Sequence, residues 1–223
     1  PDSQPIQQFA GYFDLEDIAP ASMRARLIDP GEYWRWPNGI AVRTQVIKQA
    51  DVLQLLTLLD GFSTDVLRAN YEYYEPRTEH GSSLSPSIHA IIARRAGIAD
   101  EAERYFHEAA TIDLYNKSRK VVSGGSFLGG IHTAACGGVW MAIVQGFAGF
   151  RVGEGAVEFE PAVPEGWGTL TFCVTYRGSA LRVRIQGSAV DIAADRDNPS
   201  AVTVRVGERE QTVAPGATIE FGD

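Results

Sequence analysis

The chain has 223 residues, 44% of them hydrophobic, which is enough for a sizeable core in one large domain or two moderate ones. Its formal net charge of −8 and pI near 5.1 argue against nucleic acid or an anionic membrane as the main partner, since either favours a basic face. No run of eighteen apolar residues occurs; the most apolar stretch, 134–150, is broken by glycines and Gln145 and reads as a buried helix with Trp140 in the core.

Residues 1–5, Pro-Asp-Ser-Gln-Pro, carry no basic region, apolar region or Met, so they do not read as a signal peptide, and the chain reads as cut from something longer. Apolar residues then keep helical spacing at Ile47, Val52, Leu55, Leu56 and Leu59, at Ile88, Ile91 and Ile92, and at Ala102, Tyr105, Phe106, Ala109 and Ile112. The break at 60–63 places Ser63 as the cap of a short helix reaching Tyr71. Ser85-Pro86 predicts a helix with Ser85 as N-cap and Pro86 at N1, stopped by Gly97. A second helix, with Asp100 as its cap, closes a helical hairpin. Residues 46–148 thus read as four or five helices with two polar loops.

Beyond residue 150 the period changes to two. The segments 156–159, 169–176, 180–185 and 201–206 alternate or are rich in β-branched residues, and Gly, Pro, Asp and Asn separate them. Arg177-Gly178-Ser179 and Val206-Gly207-Glu208-Arg209 have hairpin-turn chemistry. The expected class is α+β multidomain, with residues 1–150 helical and 151–223 a small antiparallel β-sandwich of jelly-roll type. Cys136 and Cys173 lack any metal or redox spacing and are expected as reduced core residues. Together with the missing leader, they favour the cytoplasm. Of the sandwich aromatics, only Trp167 and Tyr176 are expected at the surface.

Two polar loops concentrate the chemistry. Residues 73–85 read Tyr-Tyr-Glu-Pro-Arg-Thr-Glu-His-Gly-Ser-Ser-Leu-Ser, and residues 129–138 read Gly-Gly-Ile-His-Thr-Ala-Ala-Cys-Gly-Gly. Each gathers hydroxyls or glycines around one histidine, the means by which N–H, O–H and imidazole groups converge on a phosphate-sized anion. His132, at the mouth of a helix, is the first candidate ligand, because unpaired N–H donors and the helix dipole add to its ring. The alternative is a histidine satisfied inside a packed loop. Ser82 and Ser83 follow as hydroxyl donors, against simple helix capping. No ligand cluster for a metal and no nucleotide loop is present, so no cofactor is implied.

These strings, together with Gln8-Phe9-Ala10-Gly11-Tyr12-Phe13, Lys48-Gln49-Ala50-Asp51-Val52 and Gly137-Gly138-Val139-Trp140, resemble glycoside hydrolase family 65, the inverting phosphorylases of maltose, trehalose and kojibiose. The resemblance covers roughly residues 6–155. It implies the second half of an (α/α)6 barrel followed by a C-terminal β-sandwich, a disaccharide and inorganic phosphate as co-substrates, and a homodimer by analogy. It implies that Lys48 and Gln49 hold the glucosyl unit, that His132, Ser82, Ser83, Gly137 and Gly138 surround phosphate, and that His80 either lines the pocket or supports it. It also implies a general-acid glutamate upstream of Gln8, on the N-terminal half of the barrel, so that this chain alone lacks the proton donor.

Inverting phosphorolysis needs an acid on one face of the anomeric carbon and phosphate on the other, where an inverting hydrolase holds a base and its water about 6.5 to 9.5 Å from the acid. Phosphate is already a nucleophile, so the protein supplies position and charge complementarity. Glu79 would be a base only in a hydrolase; otherwise it is expected to point outward or pair with Arg77. Asp51 is expected to pair with Lys48. Trp34, Trp36, Tyr71, Tyr73 and Tyr74 could stack on sugars, but read better as packing. The loop 29–38 could border the acceptor site and the loop 118–127 could close over phosphate, though spacing alone assigns neither. Three functions remain open: a phosphorylase, a hydrolase of the same fold, and a non-catalytic structural or sugar-binding unit.

Overall fold

The computed structural model describes residues 4–28, 39, 41–114 and 130–222, and the chain divides into two compact units, Pro1–Ala142 and Ile143–Asp223. Trp34, Trp36 and the two loops 29–38 and 118–127 lie outside the described residues.

Six α-helices are described in the first unit: α1 (Pro20–Arg24), α2 (Asp51–Leu58), α3 (Thr64–Tyr74), α4 (Ser85–Arg95), α5 (Ala99–Thr111) and α6 (Thr133–Met141). α4 is the central one. Every residue from Ser85 to Ala93 is buried, and the helix packs against α2, α3, α5 and α6. The hairpin from α4 to α5 turns where the sequence places it. Gly97 takes φ 73°, its N–H bonds to Arg94 O at 3.1 Å and the Ile98 N–H reaches back to Ala93 O at 2.8 Å, which closes a Schellman stop. Arg68 adds a donor to Ala96 O at 2.9 Å. Ser63 caps α3 as expected, its hydroxyl accepting from Val66 N–H, and α3 runs one turn beyond Tyr71.

Two expected caps are corrected. Ser85 is the first residue of α4 rather than its cap, a position that falls to Leu84, and Asp100 lies in the first turn of α5 behind the cap residue Ile98. Asp100 there still favours the helix through the dipole. The apolar stretch ahead of residue 150 is corrected in its first half: α6 buries Ala135 and Gly138, whereas Trp140 is 49% exposed; beyond it Ala142, Val144, Phe147 and Ala148 are buried as expected. An all-round apolar helix has no single stripe to bury, and among the described residues only one side of α6 is covered.

Eight strands are described in the second unit, in two sheets ordered β1-β2-β6-β7 and β3-β4-β5-β8. They are β1 (Arg151–Val152), β2 (Ala156–Phe159), β3 (Thr169–Tyr176), β4 (Ser179–Gln186), β5 (Ala189–Ala194), β6 (Val202–Val206), β7 (Arg209–Val213) and β8 (Thr218–Phe221). Strand β4 alternates buried and exposed along its whole length, as a half-buried strand must. Phe159, Val174, Leu181, Val183, Ile185, Val190, Ile192, Val204 and Phe221 share one core between the two sheets. Arg177 at φ 48° and Gly178 at φ 81° make the two-residue hairpin turn between β3 and β4.

The all-antiparallel expectation holds for the second sheet and fails for one pair in the first. β2 and β6 run parallel, with Val157 opposite Val204. The meander β3-β4-β5 lies between them in sequence and in the other sheet, which is a long enough crossover to return a strand in the same direction. Three surface expectations also change. Cys136 and Cys173 are free thiols but exposed, Cys173 because it takes an outward position of β3, whose inward neighbour Val174 is buried. Tyr176, two positions beyond Val174, is buried with it.

Candidate functional site

The first loop grows from a parallel pairing of Ile47 with Thr78. Ile47 N–H donates to Arg77 O at 2.9 Å, Glu79 N–H to Ile47 O at 2.7 Å and Gly81 N–H to Lys48 O at 2.9 Å. Lys48 and the approach to Ser82 and Ser83 therefore share one backbone ladder. Lys48 is half-buried and Gln49 exposed; α2 begins at Asp51, two residues after the Lys-Gln pair rather than with it. Asp51 does not take Lys48 as a partner: its carboxylate accepts from Gln8 Nε2 at 2.6 Å and Gln49 Nε2 at 3.4 Å. Lys48 lies on the ladder before the helix, so the i, i+3 helical geometry does not arise.

Between the last two rungs stands His80, with φ 53°. Left-handed backbone is strained for an L residue, although histidine enters it more readily than most. Its Nδ1 lies 3.1 Å from Ser85 Oγ and its Nε2 2.9 Å from Tyr105 Oη, while Tyr105 O–H lies 2.7 Å from Glu75 Oε1. A carboxylate only accepts, and a neutral imidazole has one donor and one acceptor. With His80 neutral, the direction of the chain follows: Tyr105 O–H donates to Glu75, His80 Nε2–H to Tyr105, and Ser85 Oγ–H to His80 Nδ1.

His89, one turn into α4, is held by the same serine. Its Nδ1–H donates to Ser85 O at 2.9 Å, with Ser85 Oγ 3.4 Å away. Nε2 is then an acceptor, buried and without a partner among the described residues. Burial, then the nearby His80 and Arg104, pull the pKa of His89 down to about 3, so the ring is neutral at ordinary pH. Burial and the bond to Glu75 raise Tyr105 far above the usual phenol value. These competing histidines explain why Ser85 does not cap α4: its hydroxyl is turned to imidazole instead of to a backbone N–H. Ser82 and Ser83 are half-buried at the end of this loop. Ser82 Oγ accepts from Leu84 N–H at 3.4 Å and its carbonyl accepts from Ser85 N–H at 3.1 Å, which does not use the hydroxyl hydrogen.

The second loop is anchored by a residue that sequence reasoning missed. Asp113, just past α5, takes His132 Nδ1–H on Oδ1 at 2.6 Å and His132 N–H on Oδ2 at 2.8 Å. Burial would raise the Asp113 carboxyl, but the hydrogen bonds from the His132 ring and backbone outweigh it and hold the pKa below the usual value. The carboxylate fixes the imidazole by its Nδ1 face. Nε2, the opposite ring nitrogen, is an acceptor when the ring is neutral and a donor when it is charged. His132 occupies the cap position of α6, so first-turn N–H groups lie beside it.

Gly137 and Gly138 fall in the second turn of α6, past those donors. A Cβ on Gly138 would meet Ser87 Oγ at 2.4 Å, whereas one on Gly137 would meet nothing within 4 Å. The bare Cα of Gly138 lets α6 approach α4, and the position acts on the loop through that packing.

Glu79 is half-buried, and Arg77 is not its partner. Arg77 belongs to the 3-10 turn Glu75–Arg77 ahead of the ladder, where its guanidinium takes both carboxylate oxygens of Asp17 at 2.9 and 2.6 Å and lies 4.0 Å over the Tyr73 ring. The tyrosines read as packing: Tyr71 and Tyr74 are buried, Tyr71 O–H donates to Glu101 at 3.0 Å, Tyr73 O–H to Gln45 and Tyr74 O–H to Ile6 O. Among the described residues no three His, Cys, Asp or Glu side chains gather to hold a metal ion, and no helix is long and apolar enough to cross a membrane.

The chain thus joins a helical unit, carrying serine and histidine loops, to a two-sheet unit. The chain belongs to glycosyl hydrolase family 65: the model of that family's central catalytic domain matches residues 2–141, and the model of its C-terminal domain matches residues 150–213. It is 43% identical over 203 residues to a 1,2-alpha-glucosylglycerol phosphorylase of Bacillus selenitireducens, covering 90% of this chain and 26% of that protein. It is 41% identical to a kojibiose phosphorylase of Halothermothrix orenii, covering 88% and 24%, and 38% identical to a nigerose phosphorylase of Lachnoclostridium phytofermentans, covering 84% and 25%. A solved structure from the human microbiome, provisionally assigned as a kojibiose phosphorylase, superposes with a TM-score of 0.78 at 30% identity, over 97% of this chain and 31% of that one. The chain thus spans about a quarter of the length of the curated relatives it matches.

Proposed function

We propose that this chain is the C-terminal part of an inverting disaccharide phosphorylase, its helical unit forming the second half of an (α/α)6 barrel and its strands a C-terminal β-sandwich. In this reading Ser82, Ser83 and His132 bind phosphate, and Lys48 with Gln49 bind the glucosyl unit of the donor. Phosphate attacks the anomeric carbon from the side opposite the departing sugar, while a carboxylic acid outside this chain protonates the glycosidic oxygen. The bond to the leaving oxygen breaks as the bond to a phosphate oxygen forms, so an α-glucoside yields β-glucose 1-phosphate and a free sugar. The missing N-terminal half of the barrel is the partner this requires.

The observation that carries the reading is the Asp113–His132 pair. A carboxylate that holds Nδ1 leaves the opposite ring nitrogen to serve an anion from a helix mouth. No base is needed, because phosphate brings its own nucleophilic oxygen. The test is made on the full polypeptide with α-linked glucose disaccharides. Sugar phosphate released only in the presence of inorganic phosphate, with the β anomer seen first by NMR, is the expected result. Turnover indifferent to phosphate would sink the reading and favour a hydrolase with Glu79 as its base.

A further inference from the structure

The network beneath the first loop has a use of its own. Glu79 N–H and Gly81 N–H, on either side of His80, bond to the carbonyls of Ile47 and Lys48. The His80 ring meanwhile reaches Ser85 on α4 and Tyr105 on α5. One residue therefore ties the Lys48 segment to the two helices that support Ser82 and Ser83. Its backbone is left-handed at φ 53°, and only Gly81 separates it from Ser82. A change of φ at that point swings the serine pair away from the ladder.

We propose that His80 is a positioning residue for the Ser82-Ser83 anion loop, locked in left-handed backbone by the one-way hydrogen-bond chain Ser85 to His80 to Tyr105 to Glu75. It touches no substrate, since both ring nitrogens are already engaged by protein groups. The chain is directional for a structural reason: a carboxylate closes one end and the Ser85 carbonyl fixes His89 at the other, so no hydroxyl in it has a second orientation that satisfies all partners. His89 is part of the device. Being neutral and an Nδ1–H donor, it leaves the Ser85 hydroxyl hydrogen to His80.

This inference rests on the phosphorylase reading, and two substitutions separate the two. In His80→Asn the amide oxygen replaces Nδ1 as acceptor for Ser85 and the residue still tolerates left-handed backbone. In His80→Gln the amide reaches toward Tyr105 but loses both of those features. Phosphorolysis by the full polypeptide is measured with each substrate varied in turn, alongside the melting temperature. The expected result is that His80→Gln raises KM for phosphate about tenfold or more, with KM for the disaccharide within about threefold, and that His80→Asn recovers most of the loss. Tyr105→Phe, which removes the acceptor of Nε2–H together with the donor to Glu75, moves KM for phosphate in the same direction by less. The proposal is overturned if Gln serves as well as Asn, if both KM values move together, or if KM for phosphate does not move in any of the three. A wild-type enzyme indifferent to phosphate overturns the phosphorylase reading and this inference with it, whereas a phosphate-dependent enzyme without the KM split overturns the inference alone.

Discussion

The two units treat polar atoms in opposite ways. Of the eight buried polar residues among those described, Thr44, Gln45, Asn70, Thr78, Ser85, Ser87 and His89 belong to the helical unit and only Ser179 to the β unit. The strands bury Val, Ile, Leu and Phe between their sheets and keep charges outside as cross-strand pairs such as Arg184–Asp191 at 2.9 Å. A core that only has to hold its shape does best without polar atoms, because each one buried requires a partner. A core beneath the proposed anion loop has a second task. It must aim hydroxyls and imidazoles, and directional hydrogen bonds do this where apolar contacts cannot.

The largest effect that could break this comparison lies at the helical site. His132→Ala removes the ring that faces the proposed anion, and phosphorolysis is expected to fall about 10²- to 10³-fold, the range for losing one preorganised oxyanion donor. Asp113→Asn, which keeps the ring but loses one of its two acceptor oxygens, is expected to fall about 10- to 100-fold, as for partners that only orient a ligand. Steady-state rates on the full polypeptide at saturating disaccharide and varied phosphate check both. If Asp113→Asn were as damaging as His132→Ala, the carboxylate would have a direct role and the pair would have to be reassigned.

Next in size is a change in the β unit that leaves the site untouched. Ile192→Ala empties a fully buried position shared by the two sheets and is expected to destabilise that unit by about 2 to 5 kcal/mol, without changing KM for either substrate. Urea unfolding followed by strand-sensitive infrared absorption reads the loss. An equal loss in the affinity for phosphate would show that the sheets help to shape the site.

The buried network gives a prediction in pH. His89 has a pKa of about 3 in the folded unit and an ordinary value near 6.5 when unfolded. Between those values the unfolded chain binds the proton that the folded one excludes, so stability is full above about pH 6.5 and falls as the pH drops towards 3. The slope is about 1.4 kcal/mol per pH unit, or about 2 kcal/mol between pH 6.5 and 5. In His89→Gln that part of the slope disappears. Unfolding midpoints of the helical signal at several pH values compare the two proteins, and equal slopes would mean that His89 is protonated in the fold.

How much of this was legible in the sequence follows the same division. Period-two alternation located β3, β4 and β6, and Gly97 marked the stop of α4, because each of those signals is local. The parallel pairing of β2 with β6 was not legible, since register across a long crossover leaves no mark in either strand. Among candidate site residues, His132, Ser82 and Ser83 stood out by composition and by the family strings. Asp113 did not, because the contact that joins it to His132 spans 19 residues and no spacing rule links a helix end to the next helix mouth. Ser85 was misread as a cap for a related reason: a Ser-Pro pair signals a helix start, but nothing local reveals two imidazoles waiting for the hydroxyl.

The smallest effect tests the other half of the comparison, that charges on the β unit are dispensable. Arg205 on β6 meets Glu158 of β2 at 3.0 Å and Glu210 of β7 at 2.7 Å, and these carboxylates together raise its pKa, that of Glu210 most. All three side chains are more than a third exposed, so water and salt screen the attraction and side-chain entropy opposes it. Arg205→Ala is therefore expected to leave the unfolding midpoint unresolved from wild type at 0.15 M salt, with any difference confined to low ionic strength. Melting curves at two salt concentrations decide the matter. A loss that survives high salt would mean that the guanidinium stem packs across the β2-β6 pair and contributes as apolar surface, and the outward face of this sheet would then count as structure rather than solvent-facing decoration.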